Sequence, residues 1–426
     1  MKICFVTAFP PSGRQLNEYA FHIARELRKD PLLSLTILSD KLEEGGGAHA
    51  NGTEELPGFE VVRCWEFNAT TNPLKIWREV RKIKPDIVWF NLVFSSYGTP
   101  EHPVAAFFGL CTPAFLRLCG YYTHITLHHL MEHVDFGHAN ISGLKEKVFR
   151  FASTVTTRIL LMANSLSVLL PGYRQTLVNK YRGQNIHFRT HGIFSVPQEP
   201  DFSRRNNPEK RIMAIGHWGT YKRLELLLEA FPKIAERVPE ARLVIAGGDH
   251  HTTPTYSKDL KEKHKGDPRI TFKGYVAEED IPDLFATSTI LAMPYSSSTG
   301  SSGPAHQACE YGVPIVCADI ADFREMADYE GMAADFYRTG DVDDLVEKMV
   351  AILTNPEKER QMAEQNFAAG LRMTMPEVMH RYLRTFDFHR RAKLLASLSR
   401  FRLLPKWVSA RSVAFRSTSP DFMHWS

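Results

Sequence analysis

An alternation of short apolar runs with amphipathic stretches, made twice along 426 residues and interrupted once, constrains this chain more than any single motif. Strand-sized runs at Ile3–Thr7, Leu35–Ser39, Val61–Cys64, Ile87–Phe90, Ile125–Leu127 and Ser167–Leu169 are separated by helix-sized stretches near Asn17–Lys29, Leu74–Ile83, Val104–Leu118 and Leu144–Met162. The order returns with runs at Ile212–Ile215, Leu243–Ala246, Ile270–Lys273, Ile290–Met293 and Ile315–Cys317, and stretches near Arg223–Glu236, Ile281–Ala286, Ala305–Tyr311 and Val342–Leu353. Such alternation predicts α/β structure, with two doubly wound parallel-sheet domains facing across a cleft. The interruption, Val196–Lys210, is rich in Pro, Asn and charge and has no periodicity, so it reads as a linker. The expected division is 1–193 for an N-terminal domain, 194–210 for the linker, 211–372 for a second domain and 373–426 for a return helix with a basic amphipathic tail.

Composition removes several classes of function. Hydrophobic residues make up 43% of the chain, enough for two buried cores, while a net charge of +4 with no dense Lys/Arg run argues against nucleic acid as a partner. The six cysteines lie scattered, with no CxxC pair and no metal-ligand spacing, as reduced thiols would. The N-terminus meets Pro10-Pro11 before an export core is complete, and no apolar run approaches ~20 residues, so a cytoplasmic chain without a membrane span is expected.

The stretch Tyr295–Pro304, Tyr-Ser-Ser-Ser-Thr-Gly-Ser-Ser-Gly-Pro, lies between the apolar run ending at Met293 and a helical segment ending at Gly312. A loop with so little side-chain bulk lets backbone N–H groups approach a ligand, and the following helix presents its positive end at the same place. That arrangement suits a phosphate. Two other turns point the same way: Ile215–Arg223 is a strand end, a Gly turn and two cations at a helix start, and Val244–Asp249 is a strand closing in a Gly pair. In a doubly wound sheet these turns share the carboxyl edge, which would place Lys222 and backbone amides around one diphosphate. The first turn, Phe9–Asn17, is not GxGxxG, and no GxxxxGK[ST] occurs, so dinucleotide and P-loop readings are disfavoured.

With these residues in view, the chain resembles the retaining glycosyltransferases of the GT-B fold, specifically the glycosyltransferase 4 family, over most of its length to about Phe386. Gly216, Lys222 and Leu224–Phe231 match the opening of that family's second domain, Gly247 and Gly248 match its Gly-x-Gly strand end loosely, and Phe272–Val276, Ile281–Phe285 and Leu291–Tyr295 follow in its order. Gly312–Val316 aligns with Gly-x-Pro-Val-Val; counting back sets Gln307 and Thr299 where the family carries two Glu residues. His217 stands where an Arg is usual, and Gly13 alone stands for a Gly pair. The likeness is to a variant subgroup with Thr and Gln in place of the paired carboxylates.

The resemblance implies transfer of a sugar from a nucleoside-diphosphate donor to an acceptor hydroxyl with retention, in glycan, glycolipid or exopolysaccharide synthesis. It implies His128, Lys222 and Thr299 as catalytic residues. Gly13, Arg14, Gly216, His217, Arg223, Gly248, Tyr275, Val276, Gly300, Ser301, Ser302, Gly303 and Gln307 would bind the donor. No cofactor and no metal are expected. His129, Glu132 and His133 form a His-x-x-Glu-His run, but no second ligand cluster accompanies it. The expected partners are a nucleotide-sugar donor and a glycan or lipid-linked acceptor. Leu394, Leu395, Leu398 and Phe401–Leu404 would line one side of a basic tail helix, which either lies on an anionic membrane surface or packs on the first domain. A catalytically inactive nucleotide-sugar-binding partner and, less favoured, a GT-B sugar-nucleotide epimerase are the alternatives.

Overall fold

A computed structural model describes residues 1–42, 52–56, 58–99, 101–134, 143–195, 200, 202, 210–250, 253–298 and 300–400. The first sheet contains β1 (Lys2–Val6), β2 (Ser34–Asp40), β3 (Gly52–Leu56), β4 (Phe59–Trp65), β5 (Ile87–Leu92), β6 (Thr123–Leu127), β7 (Ser165–Val168) and β8 (Ile186–Phe188), in the order β3-β4-β2-β1-β5-β6-β7-β8. Its pairs are parallel apart from the antiparallel β3–β4 pair at the edge. The second sheet contains β9 (Arg211–Ile215), β10 (Arg242–Ala246), β11 (Ile270–Gly274), β12 (Ile290–Met293), β13 (Ile315–Ala318) and β14 (Ala334–Tyr337), all parallel, in the order β11-β10-β9-β12-β13-β14. This is the expected α/β architecture, two doubly wound sheets with helices on both faces.

Alternation explains why the central strands are buried on both sides. Cys4 and Val6 of β1 enter one apolar cluster while Ile3 and Phe5 enter another, and β9 divides Met213 from Ile212 and Ala214 in the same way. The helix Met375–Arg400 leaves the second sheet and closes the first core, where Tyr382 and Phe386 pack on Trp89 with ring centroids 4.6 and 5.4 Å away. Thr126 ties this packing together, because its hydroxyl donates to Tyr382 Oη at 3.1 Å and accepts from Trp89 Nε1 at 2.9 Å.

Several elements lie outside the sequence expectation. β3 is the polar edge segment Gly-Thr-Glu-Glu-Leu, while β8, Ile-His-Phe, and β14, Ala-Asp-Phe-Tyr, are short and broken by a polar residue, so neither reads as an apolar run. The helix Tyr256–His264 buries Leu260 alone, so its charged surface hides it from a hydrophobic-stripe reading. Among the described residues, no helix is long and apolar enough to cross a membrane. The tail from residue 401 onward lies outside the described residues.

Candidate functional site: a cationic switch point facing a histidine edge

In the second sheet β9 is flanked by β10 on one side and β12 on the other, so successive crossovers run in opposite directions from it. That reversal opens a crevice beyond the carboxyl ends of β9 and β12, the usual ligand position in such sheets. The chain leaves β9 through Gly216, whose φ of +149° suits glycine. A Cβ there would stand 2.7 Å from Lys222 Nζ, so the glycine makes room for the ammonium. Gly247, at the end of β10, is pressed against the same turn, since its Cβ would lie 1.9 Å from the Gly216 carbonyl oxygen.

Lys222 ends a short 3-10 turn, Thr220–Lys222, and is 9% exposed. Its Nζ lies 5.1, 5.6 and 5.9 Å from the ring centroids of Tyr295, Trp218 and Tyr221. Among the described residues no carboxylate pairs with it. Burial pulls its pKa down to about 8, so the ammonium is desolvated yet charged at neutral pH.

The Ser/Gly loop begins beside this cation: Ser296 donates from both its backbone N–H and its hydroxyl to the Tyr221 carbonyl, at 2.8 and 3.0 Å. The loop ends at the helix Gly303–Glu310, where the Ser302 hydroxyl accepts from Ala305 N–H at 3.4 Å as an N-cap. Gly300 has φ +85°, and its amide donates to Asp322 Oδ2 at 2.9 Å. A Cβ on Gly300 would meet the His128 carbonyl oxygen at 2.3 Å, so the loop touches the opposite domain there. Thr299 lies outside the described residues.

His128 follows β6 and faces the loop from the first domain. Its Nε2 donates to Asn91 Oδ1 at 2.6 Å, Tyr19 meets its ring edge-on at 5.3 Å, and burial lowers its pKa to about 3. The ring is therefore neutral, with the proton on Nε2. Behind Tyr19 the rings of His191 and His306 follow, at centroid spacings of 4.1 and 4.8 Å.

The structure sets Gly216 against Lys222 and Gly300 against His128, with Ser301, Ser302 and Gly303 following Gly300 in the loop, and places the other expected residues elsewhere. His217 is exposed, and Tyr275 is 77% exposed just past β11, followed by Val276 packed on the core. Gln307 is half-buried one helical turn beyond Ser302. Arg223 sits in the left-handed region at φ +47° and pairs with Glu225 at 3.0 Å. Arg14 lies 3.7 Å above the Phe67 ring and 3.6 Å from Asp40, while Gly13 has open space where a Cβ would stand. Of the glycine pair after β10, Gly247 makes the close approach, and Gly248 uses its carbonyl to accept from Trp218 N–H at 2.8 Å. His129, Glu132 and His133 turn to different neighbours: Phe94, then Lys180 and Tyr181, then Thr176 and Asp322.

Sequence reasoning missed the residues that fasten this site. Asp322 accepts from Tyr173 Oη at 2.6 Å across the domain boundary as well as from Gly300. Glu310 accepts from the backbone N–H groups of Phe194 and Ser195, at 2.9 and 3.2 Å, where the chain enters the linker. His306 and Glu330 form a buried pair at 3.0 Å beneath the loop. Each partner is far away in sequence, so no local motif marks it.

Comparison with known proteins agrees with this geometry. Residues 209–355 match the family described as glycosyl transferases group 1. Sulfoquinovosyl transferase SQD2 of Arabidopsis thaliana is 28% identical over 346 residues, which cover 77% of this chain and 61% of that protein. Mannosylfructose-phosphate synthase of Agrobacterium fabrum is 37% identical over 90 residues, 20% of each chain. These alignments thus span from a fifth to about three fifths of the relatives' own lengths. Among solved structures, sucrose-phosphate synthase from Thermosynechococcus elongatus superposes with a TM-score of 0.68 at 13% identity, covering 93% of this chain and 100% of that one. HepE from Anabaena, solved with UDP and glucose, gives 0.63 at 16% identity, covering 91% and 99%. The chain has the two-domain GT-B fold, and its second domain matches the glycosyl transferases group 1 family.

Proposed function

We propose that this protein is a retaining glycosyltransferase that moves a sugar from a nucleoside diphosphate to an acceptor hydroxyl, without a resident metal. The observation that carries the reading is Lys222, a buried ammonium with no carboxylate partner among the described residues, placed at the switch point beside the Ser/Gly loop. In the reaction the bond from the anomeric carbon to the diphosphate oxygen breaks and its electron pair stays on the diphosphate. The acceptor oxygen bonds to that carbon, and its proton goes to the departing diphosphate. Lys222 and the loop amides stabilise the charge that builds on the leaving group, which is commonly the largest single catalytic term. His128 faces the sugar, Gln307 takes ribose hydroxyls, and Tyr275 and Val276 flank the base. The acceptor is a glycan or a lipid-linked glycan, and the setting is the cytoplasm.

The solved complex of HepE with UDP and glucose makes uridine donors the first to test. A thermal-shift screen of UDP-, GDP- and ADP-sugars should find one that raises the melting temperature, since a ligand bound only by the folded state stabilises it. With that donor, Lys222→Ala should lower turnover on the order of 10²–10³-fold. Wild-type turnover in the variant would refute the assignment. A second reading, a nucleotide-sugar-binding partner without catalysis, draws on Thr299 and Gln307 standing where the resembled family has carboxylates. Donor binding by the purified protein, with neither hydrolysis nor transfer, would favour it.

A further inference from the structure

We propose that His306 is a positioning residue for the diphosphate loop, held as an imidazolium between the Ser302 carbonyl and the Glu330 carboxylate. The proposal rests on the diphosphate reading of this crevice. His306 is 1% exposed in the first turn of the helix Gly303–Glu310. Its Nδ1 lies 2.7 Å from the Ser302 carbonyl oxygen, and its Nε2 lies 3.0 Å from Glu330 Oε2. A neutral imidazole has one N–H and one lone pair, so it would turn the lone pair on one of these two oxygens. With both nitrogens protonated, Nδ1 donates to the Ser302 carbonyl and Nε2 faces Glu330 as an ion-pair partner.

The surroundings agree with a charged ring. Burial alone would lower the His306 pKa, but Glu330 and the Ser302 carbonyl outweigh it and the net direction is upward. His191, whose ring centroid is 4.8 Å away, is pushed well below its ordinary value by burial and by His306, so it stays neutral. Cys309 on the same helix is pushed up, first by burial and then by Glu330, and Arg372 acts on it in the opposite sense. Glu310, also on this helix, faces the linker at Phe194 and Ser195.

The consequence is a fixed peptide plane. The Ser302 carbonyl receives both the His306 backbone N–H, at 3.2 Å, and the His306 ring. Because a trans peptide sets C=O and N–H antiparallel, anchoring that carbonyl against the helix turns the Gly303 N–H outward into the crevice. Pro304 has no N–H, the Ala305 N–H is capped by Ser302, and the Gly300 N–H is taken by Asp322. The amides of Ser301, Ser302 and Gly303 are left for phosphate oxygens, and His306 sets the last of them.

The test measures UDP binding by calorimetry, with GDP and ADP beside it, from about pH 6 to about pH 9, on wild type and Glu330→Gln. Removing the carboxylate removes what raises the His306 pKa, so Glu330→Gln should lose diphosphate affinity at a lower pH than wild type does. Near neutrality the difference should be about tenfold in Kd. The Lys222 titration is common to both proteins and cancels in the comparison. His306→Asn keeps one donor for the Ser302 carbonyl and should restore affinity to within about threefold while flattening the profile; His306→Leu should weaken binding at every pH. Nitrogen-15 spectra of the histidine rings, with His306 assigned by the signal that His306→Asn lacks, read its charge directly and should show that ring doubly protonated at neutral pH. Identical pH profiles for wild type and Glu330→Gln, or a neutral His306 ring, would overturn the proposal. Failure of all three diphosphates to bind wild type, or binding unaffected by Lys222→Ala, overturns the donor-site reading and the positioning role with it, while the ring spectrum still reports the charge separately.

Discussion

Lys222 sits where folding and binding want opposite things. Its side chain is buried among Trp218, Tyr221 and Tyr295, and desolvation brings its pKa from 10.5 to about 8. The folded-state value is lowered, so between these two values the unfolded chain binds the proton that the folded chain releases, and stability rises with pH across that window. Below about pH 8 the buried charge costs about 3 kcal/mol, the equivalent of the shift. Lys222→Met, of similar length and apolar, should therefore be the more stable protein near neutrality by up to about that amount, with the gain shrinking as pH climbs from 8 towards 10.5. Urea denaturation of both proteins at neutral and alkaline pH checks this, and a stability difference that does not change with pH would remove the argument. Gly300 shows the same tension sterically. Only a residue without Cβ fits at φ +85° against the His128 carbonyl, so its freedom in the unfolded chain is traded for a contact that closes the crevice.

Elements with strong local periodicity were legible in the sequence, and those defined by their neighbours were not. β5 and β9 are short apolar runs between turn signals and stand out; β14, Ala-Asp-Phe-Tyr, is a strand because β13 lies beside it. The site divides in the same way. Lys222 and the Ser/Gly loop are local signals, a cation six residues past a strand-end glycine and a run of small residues before a helix. Asp322, Tyr173 and Glu330 carry no local mark, because they matter through contacts made across folded distance. The return helix Met375–Arg400 carries no clear apolar stripe and is expected from the family resemblance, and its energetic weight can be tested at Phe386. That side chain is fully buried between Trp89 and His124, at centroid distances of 5.4 and 5.1 Å. Phe386→Ala should cost about 3–5 kcal/mol in urea unfolding. Because the lost contacts lie in the first core, nucleotide affinity at low denaturant should stay at the wild-type level; a parallel loss of affinity would mean that this helix shapes the donor site as well.

At the scale of the whole molecule the two domains meet through directed polar contacts beside an apolar cluster that holds Tyr173 and Leu177 together with Phe323 and Met326. Tyr173 donates to Asp322, the Gly172 N–H donates to Glu325, and Arg25 pairs with Glu278 at 3.2 Å while donating to the Phe194 carbonyl at 2.9 Å. These polar contacts can be exchanged for water as domains open and close on a ligand, while the shared apolar cluster sets a cost on opening. Asp322 is central because one carboxylate holds both the first domain, through Tyr173, and the Ser/Gly loop, through Gly300. Closure and loop order are thereby coupled. Asp322→Ala leaves two donors without their acceptor, each worth about 1–3 kcal/mol if it stays buried, so the domains should part to let water reach them. Small-angle scattering should then give a larger radius of gyration for the variant than for wild type in the absence of ligand. A bound nucleotide sugar, contacting both sides of the crevice, should return the variant towards the wild-type value at the cost of weaker affinity, because part of the binding energy is spent on closure. Superimposable scattering curves for the two unliganded proteins would show that Asp322 orders the loop alone and that closure is held by the remaining contacts.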